Sequence, residues 1–265
     1  MSLTGKEKKE TYKDLVVLDN NNSGFDGTMQ QIKSGNGEGS PLYMSNSEVK
    51  ILPELDKNGT LLVQDKDANN LLKIDSDNKI IRVGKNQQHI ATQYAHFGID
   101  ASSSDTFGTG DTYHYTIPFN GGYQNTAAAQ WVQLGTGTDP DLSETNTLKA
   151  MAIAQCVWHV HDAIVIDKVS FWLGADGSGD DNIVCHLVSY DIDTSNTSTG
   201  GDLSNGVILA DGGIIASDGY AQAYYQDMTI QSSDVGSNKG VFFTFQQDGT
   251  NANYAVNATI KYHLE

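Results

Sequence analysis

Between residues 254 and 264 the chain alternates without a break: Tyr254, Val256, Ala258, Ile260, Tyr262 and Leu264 fall on one side, and Ala255, Asn257, Thr259, Lys261 and His263 on the other. A period of two over that length is a half-buried antiparallel strand. Runs of similar length recur at 113–119, 128–134, 150–160, 164–174, 183–192, 207–216, 224–230 and 240–246, joined by loops of Asp, Gly, Ser, Thr and Asn such as 174–182 and 193–206. No segment longer than ten residues combines helix formers with a 3.6-residue period. The second part of the chain therefore reads as eight or nine strands, which suits a sandwich of the jelly-roll kind.

Residues 42–83 carry a shorter version of the pattern. Strands of three to five residues, at 42–44, 49–52, 60–63, 71–74 and 79–83, are separated by polar turns, with Asp65-Lys66-Asp67-Ala68-Asn69-Asn70 and Asp75-Ser76-Asp77-Asn78 between the last three. Each strand offers only one or two apolar side chains to an interior. One copy leaves most of them in water, whereas three copies wound together bury them. Val63, Leu72, Ile74, Ile81 and Val83 are therefore expected to face the axis of a homotrimeric stalk. Ahead of the stalk, residues 4–19 hold at most a helical turn or two before the breaker cluster Asp19-Asn20-Asn21-Asn22-Ser23-Gly24, and residues 34–40 read as a flexible connector. The expected fold is all-β: an extended arm over 1–40, a short-stranded trimeric β stalk over 41–99, and an antiparallel β-sandwich, jelly-roll-like, over 100–265.

The charge distribution supports that division. Residues 1–99 hold 12 Lys and Arg against 13 Asp and Glu, while residues 100–265 hold 4 against 20, so nearly all of the net charge of −17 lies in the second part. All three Trp, nine of twelve Tyr and six of eight Phe also follow residue 100, where they supply the area a core needs. An acidic surface of this kind repels phosphate backbones and anionic head groups, so nucleic acid and membrane are not expected partners. No run approaches the apolar length of a membrane span, and Met1–Lys13 lacks the apolar centre of a signal peptide, which implies a protein made in a cytoplasm. Cys156 and Cys185 each sit in an apolar run rather than in a ligand-spaced motif and are expected to be buried, reduced thiols.

Candidate sites are few. Asp65-Lys66-Asp67-Ala68-Asn69 begins like a calcium loop, but Asn70 and Ser76 stand where the loop needs Gly and Glu, so its carboxylates are expected to bond their own turn. The acidic loop 176–182 is the better calcium candidate, and solvated side chains are its simpler reading. His159 and His161 share a strand face, with His186 or Cys185 as a conceivable third zinc ligand, yet a strand edge or interface accounts for them equally, and no metal is expected there. There is no Gly-x-Ser-x-Gly elbow, phosphate-cradling Gly-rich loop or His-Glu-x-x-His, and no cofactor motif. Catalytic residues are therefore not assigned.

Several stretches carry a family likeness: Leu3-Thr4-Gly5-Lys6 with Thr11-Tyr12-Lys13-Asp14-Leu15, Leu62-Val63-Gln64-Asp65-Lys66-Asp67, Leu71-Leu72-Lys73-Ile74-Asp75, residues 186–194, residues 221–226 and residues 257–264. Together they resemble virion structural proteins of marine tailed phages. The resemblance implies a virion location, an N-terminal arm fixed to a capsid or tail protein, a trimeric β stalk and a globular head. Leu3, Tyr12, Leu15 and Val16 are the apolar anchors available to such an arm. A second reading, of a different class, is a tail-associated receptor- or glycan-binding protein whose Tyr123, Tyr220, Tyr224 and Tyr225 stack on sugar rings. A glycan-degrading enzyme is the third, and it requires a groove lined by two carboxylates.

Overall fold

A computed structural model describes residues 17–18, 24–35, 37–84, 86–100, 113–121, 132–143, 150–177, 181–248 and 254–265. The fold is all-β, with antiparallel sheets throughout and a single short helix among the described residues. No described helix is long and apolar enough to cross a membrane. The chain divides into two compact units, Met1–Ile90 and Ala91–Glu265. That boundary lies nine residues before the expected one, because 92–99 alternate strictly and join the sandwich as a strand instead of ending the stalk.

The first unit holds two four-stranded meanders. One contains β1 (Val17–Leu18), β2 (Gln30–Lys33), β3 (Gly39–Met44) and β4 (Val49–Ile51), paired in chain order. Residues 30–40, read from the sequence as arm and connector, thus form a hairpin. Its first strand, Gln-Gln-Ile-Lys, has too little apolar alternation to announce itself, and its turn is closed by the Gly37 N–H donating to Ser34 O with Gly37 at φ 84°. The other meander contains β5 (Leu61–Gln64), β6 (Asn70–Asp75), β7 (Ile80–Val83) and β8 (Gln88–His89). Its turns are built from Asx side chains as expected. The Asn69 side-chain amide donates to Asp65 Oδ2, Asp65 Oδ1 accepts from the backbone N–H groups of Asn69 and Asp67, and Asp75 accepts from the backbone and side chain of Asn78. These bonds hold both carboxyls below the usual range.

The second unit contains β9 (Thr92–Asp100), β10 (Tyr115–Ile117), α1 (Ala150–Cys156), β11 (Trp158–Val160), β12 (Ile164–Ala175), β13 (Asn182–Ile192), β14 (Leu203–Ala216), β15 (Ala223–Asp227), β16 (Thr229–Ile230), β17 (Asp234–Val235), β18 (Lys239–Gln247) and β19 (Tyr254–Leu264). One sheet runs β9-β19-β12-β15, with β17 beside β12; the other runs β10-β18-β13-β14-β16, with β11 beside β18. Leaving out the short β11, β16 and β17 and counting the rest in chain order, the sheets read 1-8-3-6 and 2-7-4-5. That is the strand order of a jelly roll: the chain changes sheet at every step except the β13–β14 hairpin, and its first and last strands lie side by side.

The inner faces meet in one core, where Phe97, Ile117, Phe171, Leu173, Leu187 and Phe243 are buried. Along β12 the inward set changes phase, from Ile164 and Ile166 to Val169, Phe171 and Leu173, because a bulge between Ile166 and Lys168 inserts one residue. A second core lies on the other side of the β18–β13 pair. There Val132, Leu134, Ile153 and Cys156 pack on Val188, Tyr190 and Phe242. The Tyr190 hydroxyl donates to Asp141 O at 2.6 Å, and Gly206 allows the covering segment to come close, since a Cβ at that position would stand 2.7 Å from Leu142 Cα. The expected strand at 150–160 is half helix. Ala150-Met-Ala-Ile-Ala-Gln favours a helix, whereas Trp158-His-Val favours a strand, and the Val157 N–H donating to Ile153 O joins the two. Cys185 belongs to the inner core and Cys156 to the outer one; both are buried, and burial pushes the Cys185 thiol up.

Candidate functional site

The five expected stalk residues share one face of the β5–β8 sheet. In register, Leu61 stands opposite Ile74 and Ile74 opposite Ile81, while Val63 stands opposite Leu72 and Leu72 opposite Val83. Directly opposed residues point the same way, and so do residues two apart. Leu61, Val63, Leu72, Ile74, Ile81 and Val83 therefore form a continuous aliphatic surface, with Leu62, Lys73 and Arg82 on the reverse. None of the six is buried, and Val63 is 45% exposed. Leu61 is the member the sequence reading lacked. The arm residues Leu3, Tyr12, Leu15 and Val16 lie outside the described residues, as does Tyr123.

The other three tyrosines do not act together. Tyr220 is exposed in the turn after β14. Tyr224 and Tyr225 are neighbours on β15 and point to opposite faces. Tyr224 packs against the inner core and its hydroxyl donates to Ser217 O. Tyr225 faces outward and meets Trp172 of β12, directly opposite in register, with ring centroids 5.1 Å apart and planes inclined at 56°. The Tyr225 hydroxyl donates to Asp227 Oδ1 at 2.6 Å, and Lys168 Nζ stands 2.9 Å from the same carboxylate. Those two partners, the hydroxyl first, hold the Asp227 carboxyl below its usual range, and Asp227 in turn raises Lys168. Sequence reasoning missed Trp172 by counting it toward the core. Its signal was present: Trp172 falls between the inward Phe171 and Leu173, so alternation points it outward.

The opposite sheet carries a cleft of about 480 Å³ lined by Asp139, His186, Asp211, Gln246 and Asp248 among others. His186 Nε2 lies 3.4 Å from Asp139 Oδ1 and 3.7 Å from Asp211 Oδ1. Behind it, edge-on at 5.2 Å, stands the fully buried His114, whose Nε2–H donates to Gly137 O at 3.0 Å. Burial pushes His114 down to about 4, against the opposing pull of the Gly137 bond, and burial also lowers His186, which Asp211 and Asp139 partly offset. Both imidazoles are thus neutral at pH 7. Asp248 is committed to the backbone and side-chain N–H groups of Asn182. With three carboxylates and no Lys or Arg in its lining, the cleft does not suit an anion. Nothing in the sequence pattern marked His114, because the covering segment that buries it is irregular.

His159 and His161 are brought together, with ring centroids 4.6 Å apart. His186 is not near them: their strands pair with β18 at Gly240 and Thr244, four residues apart, or about 13 Å along a strand. Cys185 points into the inner core. Among the described residues no three His, Cys, Asp or Glu side chains are arranged to hold a metal ion. In the acidic loop, Asp181 is buried and structural, accepting from the Tyr254 hydroxyl at 2.6 Å; burial, and after it this bond, holds that hydroxyl protonated, and residues 178–180 lie outside the described residues.

No protein-family model matches the chain, and no curated protein matches it. Among solved structures, an aminopeptidase from a marine sediment archaeon, Thaumarchaeota archaeon, aligns over 73% of this chain at 11% identity with a TM-score of 0.30, and the chain spans 40% of that protein's length. A chain of the T13 IBDV viral particle aligns over 91% of this chain and 72% of its own length, at 10% identity with a TM-score of 0.13. Neither TM-score reaches one half, and neither likeness carries an inference about this chain.

Proposed function

We propose that the chain is a non-enzymatic structural protein of a tailed-phage particle: a homotrimeric fibre or capsid decoration, attached by its N-terminal residues and displaying the jelly roll as a head. The observation that carries this reading is the aliphatic face of β5–β7, where six apolar side chains share one side of a sheet and none is fully buried. Burying what is still exposed of the six, about a quarter of a side chain each, contributes about 2–5 kcal/mol gross per chain, at roughly 1.5–3 for a whole side chain, before the ordering cost is subtracted. Three copies suit the surface better than two. Three sheets closing a prism bring their edges together at the corners, whereas two sheets stacked face to face leave every edge strand open. The sequence likeness to phage virion proteins supplies the particle, and the acidic second unit disfavours nucleic acid as the partner.

The intact protein is expected to sediment as a trimer at micromolar concentration. The double variant Leu72→Asp, Ile74→Asp, which places two carboxylates on the apolar face, is expected to run as a folded monomer. A wild-type monomer, or a double variant that remains trimeric, contradicts the stalk. Attachment is tested separately. β1 begins at Val17, so deleting residues 1–16 spares the meander, and the trimer is expected to survive while losing its place on particles. Recovery of the shortened protein on particles at wild-type occupancy moves the attachment point elsewhere.

A further inference from the structure

We infer that the outer face of the β9-β19-β12-β15 sheet carries a binding site for the pyranose rings of a neutral glycan, centred on Trp172 and Tyr225. The two rings are 56% and 47% exposed, although they lie within regular strands, and the inward neighbours of Trp172, Phe171 and Leu173, are buried. Inclined at 56°, they make an open corner rather than a flat plate. A sugar seated in it stacks its C–H face on the indole and is closed on one side by the phenol. The corner is also preset. Lys168 fixes Asp227, and Asp227 holds the Tyr225 hydroxyl, so the phenol ring does not have to be ordered when a ligand arrives.

The surroundings match the rest of a sugar. On the far side of Trp172 the cross-strand neighbour is Asn257, followed by Gly98. A Cβ on Gly98 would meet only Val256 O and Asn257 Nδ2, at 3.5 and 3.6 Å, so the floor there is low and flanked by an amide that can donate and accept. One step along β12, Gly174 stands between Ala223 and Ala255, which keeps the approach to the rings clear on that side. An apolar ring face beside a polar rim and a small-residue floor is the complement of a hexose. A cross-strand aromatic pair that serves the sheet alone requires neither the Lys168–Asp227 brace nor the open floor. The charge decides the ligand class. With 4 basic against 20 acidic residues after position 99, the unit repels polyanions, which leaves uncharged polysaccharide. The site is complete within one chain and does not depend on oligomeric state.

The test is native affinity electrophoresis of the full-length protein in gels containing dextran, hydroxyethylcellulose or galactomannan, with alginate and heparin as the anionic arm, followed by calorimetric titration. At least one neutral polymer is expected to retard the protein, with a quench of tryptophan fluorescence. Trp172→Ala is expected to weaken that binding at least tenfold at unchanged Tm and oligomeric state, and Asp227→Asn, which loosens the brace, to weaken it less. Equal retardation of Trp172→Ala, absence of retardation by all three neutral polymers, or retardation by the anionic polymers alone overturns the inference.

Discussion

Phe243→Ala is expected to lower the stability of the sandwich by about 3–5 kcal/mol. Phe243 sits on β18, the central strand between β10 and β13, and is fully buried. Its ring centroid lies 5.8 Å from that of Phe171 and 6.1 Å from that of Phe97, both on the facing sheet, so one side chain ties the two layers together. Its register partners Ile117 and Leu187 flank it on the same face. Truncation removes contacts to both sheets at once, and the neighbours Phe97, Ile117, Phe171 and Leu187 are all held on paired strands that cannot readily collapse into the gap. Denaturant unfolding followed by tryptophan fluorescence measures the loss, with the exposed Tyr220→Ala as the control expected to stay within about 0.5 kcal/mol of wild type. A loss below about 1 kcal/mol for Phe243→Ala means that the layers are not packed as described.

Acid is expected to weaken the protein well before the carboxylates titrate. His114 takes up a proton near pH 6.5 when unfolded but only near 4 when folded. Between those values the unfolded chain binds a proton that the folded chain refuses, so stability is fully present above about 6.5 and is lost on the way down to 4. The physical reason is local. Nε2–H is committed to Gly137 O, so the second proton has to go to Nδ1, which is buried and has no partner among the described residues. The full loss is on the order of 3 kcal/mol, and between pH 7 and pH 4.5 about 2–3 kcal/mol of it appears. His186, also lowered, acts in the same direction. Carboxyls held down by hydrogen bonds, such as Asp65 and Asp75, contribute only below 3.8. His114→Gln keeps a donor within reach of Gly137 O and cannot charge, so its unfolding free energy is expected to vary with pH only by the part due to His186. An equally steep slope in that variant assigns the effect to another group.

Strands were legible where one face meets the core and the other meets water, and where an apolar run is long enough to cross a sheet covered on both sides. The alternation of 254–264 and, apart from its bulge, of 164–174 marked β19 and β12 nearly to the residue, the run 183–192, buried on both faces, marked β13 by its length and apolar content, and the Asx turns between β5, β6 and β7 were read correctly because their chemistry is local. What failed was structure set by distant partners. β2 is polar and becomes a strand only because β3 folds back on it. α1 is one short helix lying on a sheet, and its anchors Ile153 and Cys156 look like strand residues until a second core is known to lie outside the first. The sites follow the same division. The shared face of the β5–β8 sheet was visible from spacing, since a period of two is enough to gather Val63, Leu72, Ile74, Ile81 and Val83 on one side. The pairing of Trp172 with Tyr225, 53 positions apart, needs the register between β12 and β15, which no local pattern encodes.

The side-by-side placement of the first and last jelly-roll strands has a mechanical consequence. Any pull transmitted along the chain through Ala91 enters the sandwich at Thr92 and runs down β9, which is held to β19 by pairs from Thr92–His263 to Asp100–Ala255. Tension along the strand, opposed by a load borne on the sheet face, is shared by the whole ladder in shear instead of opening its bonds one after another. Resistance to such a pull is a matter of the unfolding rate rather than of equilibrium stability. A jelly roll tethered through its first strand therefore behaves as a stiff coupling under sudden drag, even where its free energy of folding is ordinary.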